Sequence, residues 1–544
     1  MDRACKIKKS FDITAVLWIA AIAFLSLFIL LPLICVFFKI RFSNLTEIFT
    51  AARFRKTILN TFFECLCSTG LSVLTGYIYA YAVVFGRMPF RKFFASLPVL
   101  HLITPPFVGG LAFILLLGRQ GLITKTILGL DVSLYGFSGL LIAQVLCFFP
   151  LSYLMCKESF EAINKNLIEG AVSLGASRLK IFFKVILPLT FPTFVASFLF
   201  VAVSVLSDFG NPMLVGGRFK VLAVEIYTQL TGWMNAGTSA ALGLVLLVPS
   251  LILFFLQNRL FKNQVKKTAI VGGKSDMKKG TDEEPVFRNS LFADILLFIF
   301  VLIIAVSVLL QFASIIAGSF QKLWGIDTAF TLKHIKLTLK YGREFFNSIS
   351  FALIASTLSV FLAAFVSFCV HRTGSKKMPG KNFIDALIQL PTAIPGSLFG
   401  LALSITSGML HLKAPRLLIV MAITVSFMPF SYRIVTQTFG QIKLTLDEGA
   451  MSLGSKPLKV FVKVLVPLAR GGVFSGWIYN FARGVGTLSS VIFLVGFNTP
   501  LCSIRILNLA EQGDWGRAAA MAMELTLIAF GLIGAGRLLI KKRK

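Results

Sequence analysis

Twelve apolar runs, each long enough to cross a bilayer, restrict this 544-residue chain more than any motif in it. A membrane-spanning helix needs about 20 apolar residues. The runs fall at 14–38, 58–85, 96–118, 138–157, 190–208 and 239–258, then at 291–318, 345–371, 383–410, 416–434, 470–495 and 515–540. They are continuous rather than alternating ten-residue segments, which predicts helices and not a barrel. Only 14% of residues are charged and 56% are apolar, far from the soluble balance. An all-α integral membrane protein with 12 transmembrane helices is expected. No small-residue cleavage site follows the first run, so it predicts a retained anchor rather than a signal peptide.

The chain is also an internal duplication. Glu169-Gly170-Ala171-Val172-Ser173-Leu174-Gly175, running on to Leu187-Pro188, returns 279 residues later as Glu448-Gly449-Ala450-Met451-Ser452-Leu453-Gly454, running on to Val466-Pro467. Twelve of the twenty positions from Glu169 to Pro188 are identical in the second copy. Pro150-Leu151-Ser152-Tyr153 and Pro429-Phe430-Ser431-Tyr432 share the same offset, and Pro105 with Gly110-Leu111-Ala112 matches Pro395 with Gly400-Leu401-Ala402 at an offset of 290. A repeat this long means two similar domains and not a solenoid. Two homologous six-helix halves follow, at 1–258 and 291–544, with a charged linker at 259–290.

Positive charge beside the spans sets orientation. Arg3, Lys6, Lys8 and Lys9, then Arg87, Arg91 and Lys92, then Arg372, Lys376, Lys377 and Lys381, and finally Lys541-Lys542-Arg543-Lys544 all fall on one side. That side is expected to be cytoplasmic, with both termini on it; Arg53, Arg55 and Lys56 run against the trend. The net charge of +31 therefore reflects topology and anionic head groups and implies no nucleic-acid partner. In the linker, Gly272-Gly273-Lys274-Ser275 lacks the first glycine of a phosphate-binding loop, because position 268 is Thr268. The chain is expected to bind no cofactor of its own.

Counting spans puts both copies of the repeat in cytoplasmic loops, at about 158–189 and 437–469. A short helix, a glycine turn and a second helix is the expected form. Glycine and alanine permit close backbone approach, Leu174, Leu453, Phe182 and Phe461 offer apolar contact, and Lys180, Lys184, Lys459 and Lys463 stay solvated. Two amphipathic loops that merely cover their own bundle would also use these residues. Two copies at matched spacing on one face favour docking.

This pattern, Glu-Ala-Ala, three residues, Gly, nine residues, Ile-x-Leu-Pro, resembles the signature loop of permease subunits of binding-protein-dependent ABC importers. Copy one matches with Glu169, Ala171, Gly175, Val185, Leu187 and Pro188, and copy two with Glu448, Ala450, Gly454, Val464 and Pro467; Gly170, Gly449 and Val466 depart mildly. The resemblance implies that each loop docks a separate cytoplasmic ABC ATPase, two copies in all, and that an extracytoplasmic binding protein delivers cargo by alternating access at a bacterial inner membrane. Glu169, Gly170, Ala171, Gly175 and Pro188, with Glu448, Gly449, Ala450, Gly454 and Pro467, would form the coupling loops. ATP would be consumed by the partner.

The fusion of two halves, and the stretch Leu206-Ser207-Asp208-Phe209-Gly210-Asn211-Pro212, resemble fused permeases of the ferric-iron type, whose relatives serve phosphonate, thiamine or polyamine. Asp208, Asn211, Arg483 and Ser489 are candidate pathway residues, since charge inside a bilayer is costly and marks function. Asp208 would draw a cation at the outer mouth; alternatively it caps a helix or pairs with a neighbour. The second half has Gly486-Thr487-Leu488-Ser489-Ser490 there, with no acid, so a symmetric metal cage is not expected. Cys65 and Cys67 are two apart on a helix and point in different directions. No metal and no catalytic centre are assigned. An ion-gradient secondary transporter would also carry repeats, yet it has no use for two matching docking loops.

Overall fold

The structure is a computed structural model that describes residues 13–104, 106–129, 134–271, 290–372 and 380–541. The first half holds α1 (Ile13–Lys39), α2 (Ala52–Phe85), α3 (Arg91–Ile103), α4 (Pro106–Leu117), α5 (Phe137–Glu161), α6 (Lys165–Ser173), α7 (Arg178–Leu206) and α8 (Ala236–Val271). The second holds α9 (Leu291–Phe320), α10 (Gly342–His371), α11 (Lys381–Gln389), α12 (Gly396–Met409), α13 (Pro415–Gly440), α14 (Thr445–Ser452), α15 (457–468), α16 (Arg470–Val485) and α17 (Trp515–Lys541). Residues 259–271 of the expected linker extend α8; residues 272–289, Pro105, Lys376, Lys377 and the basic residues of both tails up to Lys9 and from Lys542 lie outside the described residues.

Helices fall in each of the twelve expected spans, and ten among the described residues, or eleven if one bent pair counts as a span, are long and apolar enough to cross a membrane. The span expected at 383–410 is instead a pair, α11 and α12, bent by 110°. Pro391 and Pro395 explain the break, because each lacks an amide donor and clashes with a preceding turn. The span expected at 470–495 is the 16-residue α16. Its counterpart α7 runs unbroken for 29 residues. Where α7 has Phe191-Pro192-Thr193, the second half has Arg470-Gly471-Gly472, and the helix is interrupted at Ala469. The cation makes this point less apolar than its counterpart; helix propensity does not separate the two, since Pro192 is a poorer helix former than glycine.

The duplication is visible bond by bond. Asn60 Nδ2 donates to the Lys220 carbonyl at 3.2 Å, and Asn347 Nδ2 donates to that of Pro500 at 3.0 Å. Leu222 N donates to Thr61 Oγ1 at 2.8 Å, as Cys502 N does to Ser348 Oγ at 2.9 Å. These bonds pin the loop after the fifth span of each half to its second span.

The first span of each half crosses to the other. Trp18, Leu25 and Ile29 of α1 are buried in one cluster with Leu398 and Phe399 of α12. Reciprocally, Phe298 of α9 meets the Phe94 ring edge-on at 5.9 Å, and Arg87 N donates to Asp294 Oδ1 at 3.4 Å. This exchange makes the halves one packed body. A hairpin, β1 (Gln321–Leu323) with β2 (Asp327–Phe330), is the one sheet among the described residues; Trp324 in its turn donates Nε1 to the Leu115 carbonyl at 3.0 Å.

Candidate functional site

The repeated segments fold as a helix, a turn and a second helix, as their composition suggests. Asn164 caps α6 by accepting from Asn166 N at 3.0 Å. The helix ends where Ala176 N donates to the Ala171 carbonyl at 3.0 Å and Gly175 N to that of Val172 at 2.9 Å. In the second copy Ser455 N donates to the Ala450 carbonyl at 3.1 Å and Gly454 N to that of Met451 at 2.9 Å. This double bond pattern closes a helix over one left-handed residue. Gly175 sits at φ +74° and Gly454 at φ +81°, which a side chain would strain.

The apex of each turn is bare. Leu174 is 88% exposed and Leu453 90%, a large apolar surface for a loop outside the apolar spans. Glu169, Glu448, Gly170, Gly449, Gly175 and Gly454 are exposed with them, and a Cβ placed on Gly170 or Gly449 would meet nothing within 4 Å. Ala171 and Ala450 are half-buried on the other side of the helix. Pro188 and Pro467 do not join this surface: each lies one π-turn further on, past Phe182–Ile186 and Phe461–Leu465.

The buried faces differ. Ile168 of α6 and Ile181 pack among Tyr77, Tyr79 and Phe160. At the matching position α14 has Asp447, whose Oδ2 lies 3.0 Å from Arg372 Nε, with both side chains buried. Burial pushes the Asp447 carboxyl above the usual carboxylate range, the Arg372 guanidinium pulls it down, and Glu448 adds to the rise. No periodicity or motif signals this pair, since its members lie in different loops.

α1 runs from the end of the bundle where its early residues touch 457–460. The chain returns to that end after α5, so both exposed turns share one face.

A cavity of about 190 Å³ lies between α7 of the first half and, in the second, the turn at 391–394, α12, α13, α16 and the segment that follows α16. Ser204, Ser207, Thr392, Ser426, Tyr479, Thr487, Ser489 and Ser490 line it with hydroxyls, Phe200, Phe399, Phe427 and Phe430 with rings, and Arg433 with the one charge. Ser489 is among the residues expected from sequence; Arg433 and Thr392 are not, because only the bend at Pro391 brings them together.

Asp208 and Asn211 are buried away from this cavity. Asp208 Oδ2 accepts from Asn211 Nδ2 at 2.9 Å and Gln144 Nε2 at 3.1 Å, and Oδ1 accepts from Asn211 N at 3.4 Å. The acid caps a helix and pairs with neighbours rather than lining a mouth. Its second-half counterparts, Thr487 and Ser490, bond to each other at 3.1 Å. Arg483, which does not line the cavity, stands 5.8 Å from the centre of the Tyr479 ring, which does. Among the described residues no three His, Cys, Asp or Glu side chains converge as a metal site would require.

Two helical halves that exchange their first spans, enclose a cavity and present matching turns on one face define a duplicated transport permease. The chain belongs to the family of binding-protein-dependent transport system inner membrane components, which it matches over residues 4–266 and 372–543. It is 30% identical over 459 residues to the ferric transport system permease protein FbpB of Actinobacillus pleuropneumoniae, covering 81% of this chain and 64% of the relative. The putative ferric transport system permease protein FbpB 1 of Haemophilus influenzae is 30% identical over 422 residues, 75% of this chain and 65% of that one. The chain thus spans just under two thirds of the length of both. The probable ABC transporter permease protein y4fN of Sinorhizobium fredii is 25% identical over 515 residues, with 90% and 88% covered.

Proposed function

We propose that this chain is the transmembrane subunit of an ATP-driven importer for ferric iron, not itself an enzyme. Two cytoplasmic ABC ATPase subunits dock on its paired turns, and an extracytoplasmic binding protein delivers the cargo. Both termini face the cytoplasm of a bacterium, and the protein resides in its inner membrane. The observation that carries this reading is the pair of exposed apices, Leu174 beside Gly175 and Leu453 beside Gly454, on one face of a duplicated bundle. Coupling needs only that two global states differ in the contacts made at a docked element, which a rigid helix and turn transmit. Two relatives named for ferric transport support the choice of cargo.

The double substitution Gly175→Asp with Gly454→Asp places a charge and a strained backbone at both turns. It is expected to abolish co-purification of the ATPase while membrane insertion is kept. Undiminished co-purification with full ATP-driven uptake would contradict the coupling role.

A further inference from the structure

We propose that the central cavity is an oxyanion site centred on Arg433, so that ferric iron crosses as a complex with an oxyanion ligand and not as a bare cation. This rests on the importer function proposed above and adds to it the chemical form of the cargo.

Arg433 lines the cavity in the last third of α13, just inside the end of the apolar run expected at 416–434, where an unpaired charge is still costly. Its guanidinium stays protonated and carries five N–H donors. Among the described residues they meet one acceptor: Asn258 Oδ1, a neutral amide, 3.3 Å from Nη2. Arg433 forms no ion pair within 4.0 Å among the described residues. No carboxylate lines the cavity.

Asp385 is the carboxylate whose charge acts on Arg433, and its Oδ1 is engaged elsewhere. Asp385 Oδ1 accepts from the Tyr432 hydroxyl at 2.6 Å and from Gln389 Nε2 at 3.3 Å.

A second observation points the same way. The Thr392 hydroxyl, also in the cavity wall, is buried with no hydrogen-bond partner. Leaving such a group unpaired carries a desolvation cost that a ligand oxygen would remove. A forked cation with spare donors, in a wall of hydroxyls that contains no carboxylate, is the donor set that phosphate-like oxygens match bidentately. The same set repels a bare trivalent cation and tolerates one whose charge is already covered by anionic oxygens. The cavity admits a small complex, since one ordered water needs only about 10–15 Å³.

The test uses inorganic phosphate as the probe. Proteoliposomes holding the full chain with its ATPase and binding protein receive ferric iron-55 with phosphorus-33 phosphate, ferric iron-55 in oxyanion-free buffer, or labelled phosphate alone. The expected result is joint entry of both labels in the first arm and little iron entry in the second. Arg433→Gln should lower joint entry about tenfold or more, the loss of a charge-assisted contact, while Arg433→Lys retains much of it. ATPase co-purification should be equal in all three proteins. Iron entry without phosphate, unchanged in Arg433→Gln, would overturn the proposal. Phosphate entry without iron would uphold the oxyanion site and instead overturn the ferric cargo. If Arg433→Gln does not fold, calorimetric binding of phosphate to the purified wild-type chain decides: binding supports the site, and its absence together with iron entry in the oxyanion-free arm refutes it.

Discussion

Arg372 and Asp447 form a buried ion pair, Nε to Oδ2 at 3.0 Å, that ties the end of α10 to the second coupling helix. In the first half the matching position is Ile168, buried among aromatic rings. Two turns with the same exposed apex are thus anchored by different physics, one by an ion pair and one by apolar packing. Removing either member of a buried pair leaves an uncompensated charge, at a cost of about 3–5 kcal/mol. Asp447→Ala or Arg372→Ala should therefore loosen the second turn and lower ATPase binding, and the double substitution Asp447→Ile with Arg372→Met should recover most of the stability. Thermal unfolding of the three proteins in detergent checks this.

The same carboxyl makes stability depend on pH. Its folded-state value is raised by burial, so the native protein takes up the proton before the unfolded chain does. Stability from this group is present below the unfolded value and is lost as pH rises through the folded one. Unfolding temperatures of wild type and Asp447→Asn, followed from pH 3 to pH 7 (roughly the carboxylate range and above), should show wild type losing ground relative to the variant as pH rises.

Gly175 and Gly454 should tolerate little besides glycine, for backbone reasons alone. A Cβ at either meets nothing within 4 Å, yet both residues lie in the left-handed region. Alanine at either is expected to cost about 1–2 kcal/mol, and asparagine less. A smaller penalty for alanine than for asparagine would contradict the turn geometry.

Asp208 is predicted to matter for folding. Asp208→Ala would strand Gln144 Nε2 and Asn211 Nδ2, each at a cost of about 1–3 kcal/mol. Asp208→Asn, which keeps one acceptor oxygen, should lose less. Normal stability with lost uptake in Asp208→Ala would instead return this residue to the pathway.

Much of this is legible in the chain itself. Continuous apolar runs report helices because burial in lipid acts on each segment separately, and the repeat at 279 residues reports two halves and their matching turns. What stays hidden depends on which segments meet. The crossing of α1 and α9, the Arg372–Asp447 pair and the shared cavity wall of Arg433 and Thr392 join residues with no common periodicity. The break of the ninth span is written in Pro391 and Pro395, but its 110° angle comes from packing. The span expected at 470–495 is short because α16 stops at Val485, before Gly486, and the apolar residues beyond it form turns. Asp208 misleads because an acid in an apolar segment looks the same in one dimension whether it faces cargo or a glutamine.

The most direct measurement is uptake of radioactive ferric iron into proteoliposomes that hold the ATPase, the binding protein and either wild type or Leu174→Asp with Leu453→Asp. These leucines are 88% and 90% exposed, so the change should leave folding almost intact, within about 0.5 kcal/mol for each surface site. Iron should accumulate only with ATP and only in wild type, with ATPase lost from the purified variant. Accumulation without ATP, or equal accumulation in both proteins, would contradict the account.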